Sequence, residues 1–171
     1  EGSLNKKLAL NAAEMARQMR ASVTFIDLRD YPMPFYDGDL EATMGMPSNV
    51  KQLRKHFVES QVILIASPEY NASVSAVLKN AIDWVSRNPN GGGSREAFKD
   101  KKVVIMSISP GKNGGARGLS HLRTILEDVS AIVLPQQVSV PNGNSAFDGN
   151  GILINLQAKN ELQQLLKKAI N

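Results

Sequence analysis

The chain has 171 residues, 42% of them hydrophobic and 21% charged, with a formal net charge of +4 and no cysteine. That length suits one domain with a sizeable core and is short for two, while the lack of cysteine excludes disulfides, thiolate metal sites and a cysteine nucleophile. The apolar runs are strand-sized, far below the roughly 20 residues a membrane helix needs, and the basic residues are dispersed, so neither a membrane nor a nucleic acid is an expected partner.

The chain opens on Glu1-Gly2-Ser3, with no methionine and no signal-peptide pattern. Ser3 is a candidate N-cap, and Leu4, Leu8, Ala12, Met15, Ala16 and Met19 then recur at helical spacing, predicting a helix from about Leu4 to Arg20. Val23-Thr24-Phe25-Ile26-Asp27-Leu28 is β-branched and aromatic and predicts a strand. Arg29 to Pro47 carries three prolines and two glycines and predicts a long surface loop, a length that is uncommon unless functional. A helix over Asn49 to Phe57, a strand over Gln61 to Ala66 and a helix over Ser75 to Ser86 follow. Asn88 to Ser94 is a glycine-dense surface turn. The remainder reads as a strand over Lys102 to Ile108, a helix over Ala116 to Asp128, a short strand over Ala131 to Leu134, an extended piece over Gln137 to Val140, and a closing helix from about Leu153 to Ile170.

Alternating helices and strands, with strands apolar throughout, specify a parallel sheet covered on both faces: an α/β doubly wound fold. In such sheets ligands bind at the carboxyl ends of the strands. Two strand-to-helix loops stand there. Ser67-Pro68-Glu69-Tyr70-Asn71 follows one strand, and Ser109-Pro110-Gly111-Lys112-Asn113-Gly114-Gly115 follows another, so the pair could clamp a single flat ligand. Asn71 could equally cap the next helix. Gly111, Gly114 and Gly115 permit positive φ and close backbone approach, with Ser107 and Ser109 as possible hydrogen-bonding groups. At the front of the first helix, Ser3 and Asn5 suit a phosphate monoester, which a helix N-terminus binds through free N–H groups and its dipole, although Ser3 also reads as a plain cap. Glu69 reads as a surface or subunit-contact carboxylate, Lys79 and Asp83 as an i,i+4 pair, and Trp84 as core or subunit interface. His56 and His121 read as unpartnered surface residues, far apart, and no metal site is expected.

These residues resemble the flavodoxin-like NAD(P)H-dependent FMN reductases, a family that includes quinone and chromate reductases. The resemblance rests on Ser67 to Asn71 followed by Leu78-Lys79-Asn80-Ala81-Ile82-Asp83-Trp84, on Ser107 through Gly115 with Leu122 and Leu126, and on Gly2-Ser3-Leu4-Asn5 with Lys7-Leu8, which is similar to the tail of the family's phosphate loop. It implies a sheet of order 2-1-3-4-5 over a single FMN-binding domain spanning residues 1–171, with the first strand and the front of the phosphate loop absent from the sequence. Ser75 stands where the family commonly has proline. Implied cofactor-binding residues are Ser3, Asn5, Pro68, Glu69, Tyr70, Asn71, Ser107, Gly111, Gly114 and Gly115, with no catalytic side chain and no metal. FMN is the implied cofactor and NADPH or NADH the co-substrate. The implied acceptor is a small molecule, the implied setting cytoplasmic, and the implied assembly a homodimer or homotetramer. Two other readings share the scaffold: a flavodoxin-type electron carrier, against which the basic charge and the 5% aromatic content argue, and a flavin-free regulatory domain.

Overall fold

The computed structural model describes residues 2–171. Its helices are α1 (Leu4–Gln18), α2 (Gly38–Met44), α3 (Ser48–Glu59), α4 (Ala76–Val85), α5 (Ala116–Asp128) and α6 (Leu156–Ile170). Its strands are β1 (Val62–Ala66), β2 (Lys102–Ile108), β3 (Ile132–Val133) and β4 (Val138–Val140), and every pairing is parallel. β2 is central. β1 lies along one edge of it, while β3 pairs with its start and β4 with its end on the other side, so that β3 and β4 form one line interrupted at Pro135. Proline has no N–H to offer a ladder, which accounts for the break.

The alternation of β2 places the core on both faces. Val104, Met106 and Ile108 pack with Leu8, Ala12 and Ala16 of α1 and with Leu162, Leu165 and Leu166 of α6. Val103 and Ile105 pack on the opposite face with Leu53 of α3, Ile82 of α4 and Leu119, Leu122 and Leu126 of α5. Three layers result, with continuous apolar strands between helices, as a buried parallel sheet requires.

Two predicted elements differ. Val23 to Leu28 forms no strand, and its last residue opens a short 3-10 helix, Leu28–Asp30, that Asp27 caps. Its β-branched residues satisfy strand propensity, yet β1 pairs only with β2, and a strand exists only when a neighbour completes its ladder. Between this segment and β1 lies a cleft of about 730 Å³. The predicted loop Arg29 to Pro47 contains α2, begun by Asp37, whose carboxylate accepts the N–H groups of Asp39 and Leu40, and ended by Gly45 at φ +69. Acidic first turn and glycine stop are ordinary helix signals, masked here by the surrounding prolines.

The closing helix begins at Leu156, three residues later than its periodicity suggests, because Asn155 caps it by accepting from Ala158 N–H. Upstream, Leu153 N–H donates to Asn11 Oδ1 of α1.

Candidate functional site

The carboxyl end of the sheet is assembled by a small set of polar contacts. Ser67 N–H donates to Met106 O as the last rung between β1 and β2 (2.9 Å), and the chain then leaves the sheet at Pro68. The next rung on β2, at Ile108, is completed by a side chain. Ile108 N–H donates to Asn5 Oδ1 (3.1 Å), and Asn5 Nδ2 donates to Ile108 O (2.9 Å). The primary amide sets an N–H donor beside its C=O acceptor in one plane, so Asn5 substitutes for a peptide unit of a neighbouring strand. It thereby sets the N-terminus of α1 over the end of β2.

Ser3 caps α1, accepting from Lys6 N–H at 3.2 Å. Its hydroxyl proton is left for another acceptor. Lys6 reaches sideways to Asp27 (2.8 Å), and this ammonium, with Arg29 N–H, holds the Asp27 carboxyl below its ordinary value.

In the first loop, Asn71 and Ala72 both take positive φ, +50 and +62, between reciprocal backbone bonds joining Tyr70 and Ser73. Two consecutive left-handed residues closed in this way make the tight turn in which asparagine is favoured. The helix after it is capped by Ser75, which accepts from Leu78 N–H, so Asn71 does not cap it. Tyr70 is largely exposed at the lip.

In the second loop, Gly114 and Gly115 lie at φ +54 and +86. A Cβ on Gly114 would fall 2.6 Å from the Val140 backbone, and one on Gly115 would fall 1.9 Å from Ser107 Oγ. Both positions therefore demand glycine. A Cβ on Gly111 would meet only Ser109 Oγ, at an ordinary 3.7 Å, and its φ is not positive, so this position does not demand glycine. Ser107 is 0% exposed, and its hydroxyl has no partner among the described residues. It lies beneath Gly115 and faces the loop from within.

The two loops touch. Glu69 Oε2 accepts from Gly118 N–H in the first turn of α5 (2.9 Å), and Ser73 Oγ lies 3.0 Å from His121 Nδ1. His121 is thus partnered, contrary to the sequence expectation, and His56 meets the edge of Tyr31. Glu69 points at the neighbouring helix rather than outward. Ser3, Asn5, Pro68 and Tyr70 line the cleft, whereas Glu69, Asn71, Ser107, Gly111, Gly114 and Gly115 are not part of its lining.

The long segment after Val23–Leu28 is fastened to α4. Tyr36 N–H donates to Asn80 Oδ1, while Asn80 Nδ2 and Trp84 Nε1 both donate to Pro34 O. Arg87 holds Glu41 through both carboxylate oxygens and lies over the Tyr36 ring. The Arg87 bonds hold the Glu41 carboxyl below its ordinary range. Trp84 is fully buried, so its ring is core. Lys79 and Asp83 do form their pair. The Asn80, Trp84 and Glu41–Arg87 contacts escaped the sequence reading because their partners lie 44 to 50 residues away in the chain.

Comparison with known proteins agrees with this geometry. The family described as NADPH-dependent FMN reductase matches residues 1–145. The chain is 37% identical over 145 residues to an NAD(P)H-dependent FMN reductase of Pseudomonas aeruginosa, an alignment covering 83% of this chain and 75% of that protein. It is 34% identical over 171 residues to an NAD(P)H:quinone oxidoreductase of Solanum tuberosum, covering 97% and 84% respectively. Among solved structures, the flavoenzyme NAD(P)H:(acceptor) oxidoreductase FerB of Paracoccus denitrificans superposes with a TM-score of 0.80 at 25% identity, over 99% of this chain and 89% of that one.

Proposed function

Because the chain belongs to the NADPH-dependent FMN reductase family, we propose that residues 1–171 form one flavin-binding domain, which takes reducing equivalents from NADPH or NADH and delivers them to a small acceptor. The acceptor classes are quinones, metal oxyanions such as chromate, azo compounds and free flavin. When bound, FMN would supply the two-electron chemistry that links hydride donation by the nicotinamide to reduction of the acceptor.

The observation that carries this reading is the meeting of three backbone-rich elements at one end of the sheet: the N-terminus of α1, the Pro68–Asn71 turn and the Ser109–Gly115 loop. The donor set fits the group. The free first-turn N–H groups of α1 and the Ser3 hydroxyl would hold the phosphate. The main-chain groups of Pro68, Glu69 and Asn71 and the N–H groups of Gly111, Gly114 and Gly115 would be offered to the ring edge, while the Tyr70 N–H and C=O are bonded to Ser73 and its ring stands at the lip. Asn5 and Ser107 serve from behind, Asn5 by holding α1 on Ile108 and Ser107 by filling the space under Gly115. No side-chain acid or base is assigned to the reaction; these residues orient the reactants.

The full sheet order 2-1-3-4-5 is part of the same proposal, and the cleft between Val23–Leu28 and β1 is the position that order assigns to its first strand. A cytoplasmic setting and assembly into homodimers or homotetramers belong to the same proposal. The test is reconstitution. The purified chain is dialysed against FMN, its absorption spectrum recorded, and its oxidation of NADPH and NADH followed with a quinone. Bound flavin and quinone-dependent oxidation support the proposal, and their joint absence refutes it.

A further inference from the structure

We propose that Glu69 is a positioning residue that makes the two loops one rigid lip, so that the distance between their ring-facing backbones is set before any ligand arrives. The inference deepens the flavin reading and rests on it for its ligand. The coupling itself is a property of the chain alone.

Glu69 stands in the first loop, and its carboxylate accepts the backbone N–H of Gly118, in the second loop's helix, at 2.9 Å. That N–H is one of the first-turn donors that a helix cannot satisfy within itself. A carboxylate there gains both the hydrogen bond and the attraction of the helix N-terminus. α5 has no side-chain cap of its own, since its N-cap position is Gly115. The cap is thus supplied by the opposite loop, 49 residues earlier in the chain.

Close packing surrounds the bond. A Cβ on Gly118 would lie 3.1 Å from Ser73 O and 3.2 Å from Glu69 Cβ, and one on Gly115 would lie 3.7 Å from Glu69 Cβ. The missing side chain at Gly118 is what lets the loops approach closely enough for the carboxylate to reach. On the far side, the Ser73–His121 contact adds a second tie. Held at Glu69 and at Ser73, the Asn71–Ala72 turn keeps its left-handed conformation between two anchors, and the Pro68–Tyr70 backbone cannot move without moving α5.

Hydrogen exchange on the flavin-free chain, followed by mass spectrometry, tests the strut without any activity. Glu69→Ala is expected to speed exchange by about tenfold in both stretches, 67–75 and 114–119, a magnitude matching loss of one charge-assisted bond. Glu69→Gln, whose amide oxygen can still accept from Gly118, is expected to remain within about threefold of wild type. Asn155→Ala, which removes the unrelated cap of α6, is expected to leave both stretches unchanged. Acceleration in only one stretch, no acceleration in Glu69→Ala, or equal behaviour of the Ala and Gln variants would overturn the proposal.

A second measurement reads the consequence for the ligand. FMN affinity by fluorescence quenching is expected to fall about tenfold in Glu69→Ala, with a changed visible circular dichroism of bound flavin, and Glu69→Gln should restore both. Unaltered affinity and dichroism in Glu69→Ala would reject the positioning role. Failure of the wild-type chain to take up FMN would instead reject the flavin reading, leaving the exchange data to decide on the strut.

Discussion

Replacing Asn5 by alanine tests the idea that one amide side chain completes the end of the central strand. Ile108 is 1% exposed, and its N–H and C=O both depend on Asn5. Removing the amide strands two backbone groups in a place with little access to water. Each unsatisfied group costs about 1–3 kcal/mol, and partial entry of water makes a combined loss of about 2–4 kcal/mol the expected value. This is a large share of the roughly 5–15 kcal/mol that holds an ordinary domain together. With a urea slope of about 2 kcal/mol per molar, the midpoint should fall by roughly 1–2 M. Thermal midpoints move about 2–4 °C per kcal/mol at this size, which makes the drop roughly 5–15 °C. Trp84 is the single tryptophan and is wholly buried, so its fluorescence reports global unfolding without added labels. Asn5→Asp, almost identical in shape, keeps an acceptor for Ile108 N–H but turns a carboxylate oxygen toward Ile108 O. It should be at least as unstable as the alanine variant at pH 7. A midpoint shift below about 0.25 M for Asn5→Ala, or an aspartate variant as stable as wild type, would refute the reasoning.

Three further outcomes are expected. The Glu41 carboxyl is held below its ordinary value of 4.5 chiefly by the Arg87 bonds, so its native pKa is depressed; that stability is complete above about pH 4.5 and is lost as pH falls through the native value. Glu41→Gln should therefore flatten the acid limb of a stability-against-pH series while costing about 1–3 kcal/mol at neutral pH, and an unchanged limb would discount the pair. Ser107→Ala removes a buried hydroxyl that has no partner, and the flavin-free protein should gain about 1 kcal/mol in urea unfolding; a loss of similar size would mean that the hydroxyl is satisfied after all. Fusing a short β-branched strand and a flexible connector ahead of Gly2 should fill the cleft and pair both β1 and Val23–Leu28, raising the thermal midpoint by more than about 10 °C and tightening FMN binding. An unchanged midpoint would show that the cleft does not accept a strand.

Much of the architecture was legible because it depends on local periodicity. β2 reads as continuously apolar since helices cover both its faces, and α1, α4 and α5 carry their stripes at helical spacing. Both strand-to-helix loops were visible for the same reason, as polar interruptions between such elements. Val23 to Leu28 failed as a strand because a strand is a relation between segments, and no pattern within six residues encodes whether a partner is present. α2 failed because proline and glycine around it suggested a loop, whereas the Asp37 cap sufficed to start a helix.

Residue types at the two loops determined which groups this end of the molecule carries: serines, glycines and an asparagine with exposed backbone, together with the Glu69 carboxylate. Tertiary structure decided how those groups are used. Whether Asn5 meets a ligand or Ile108, whether Glu69 faces solvent or Gly118, and whether Ser107 opens outward or lies beneath Gly115 depend on which backbone arrives opposite each side chain. Those neighbours are 49 to 103 residues away for Glu69 and Asn5. A short-range pattern carries helical and strand periodicity, but hydrogen-bond partners across such separations exist only once the core has closed.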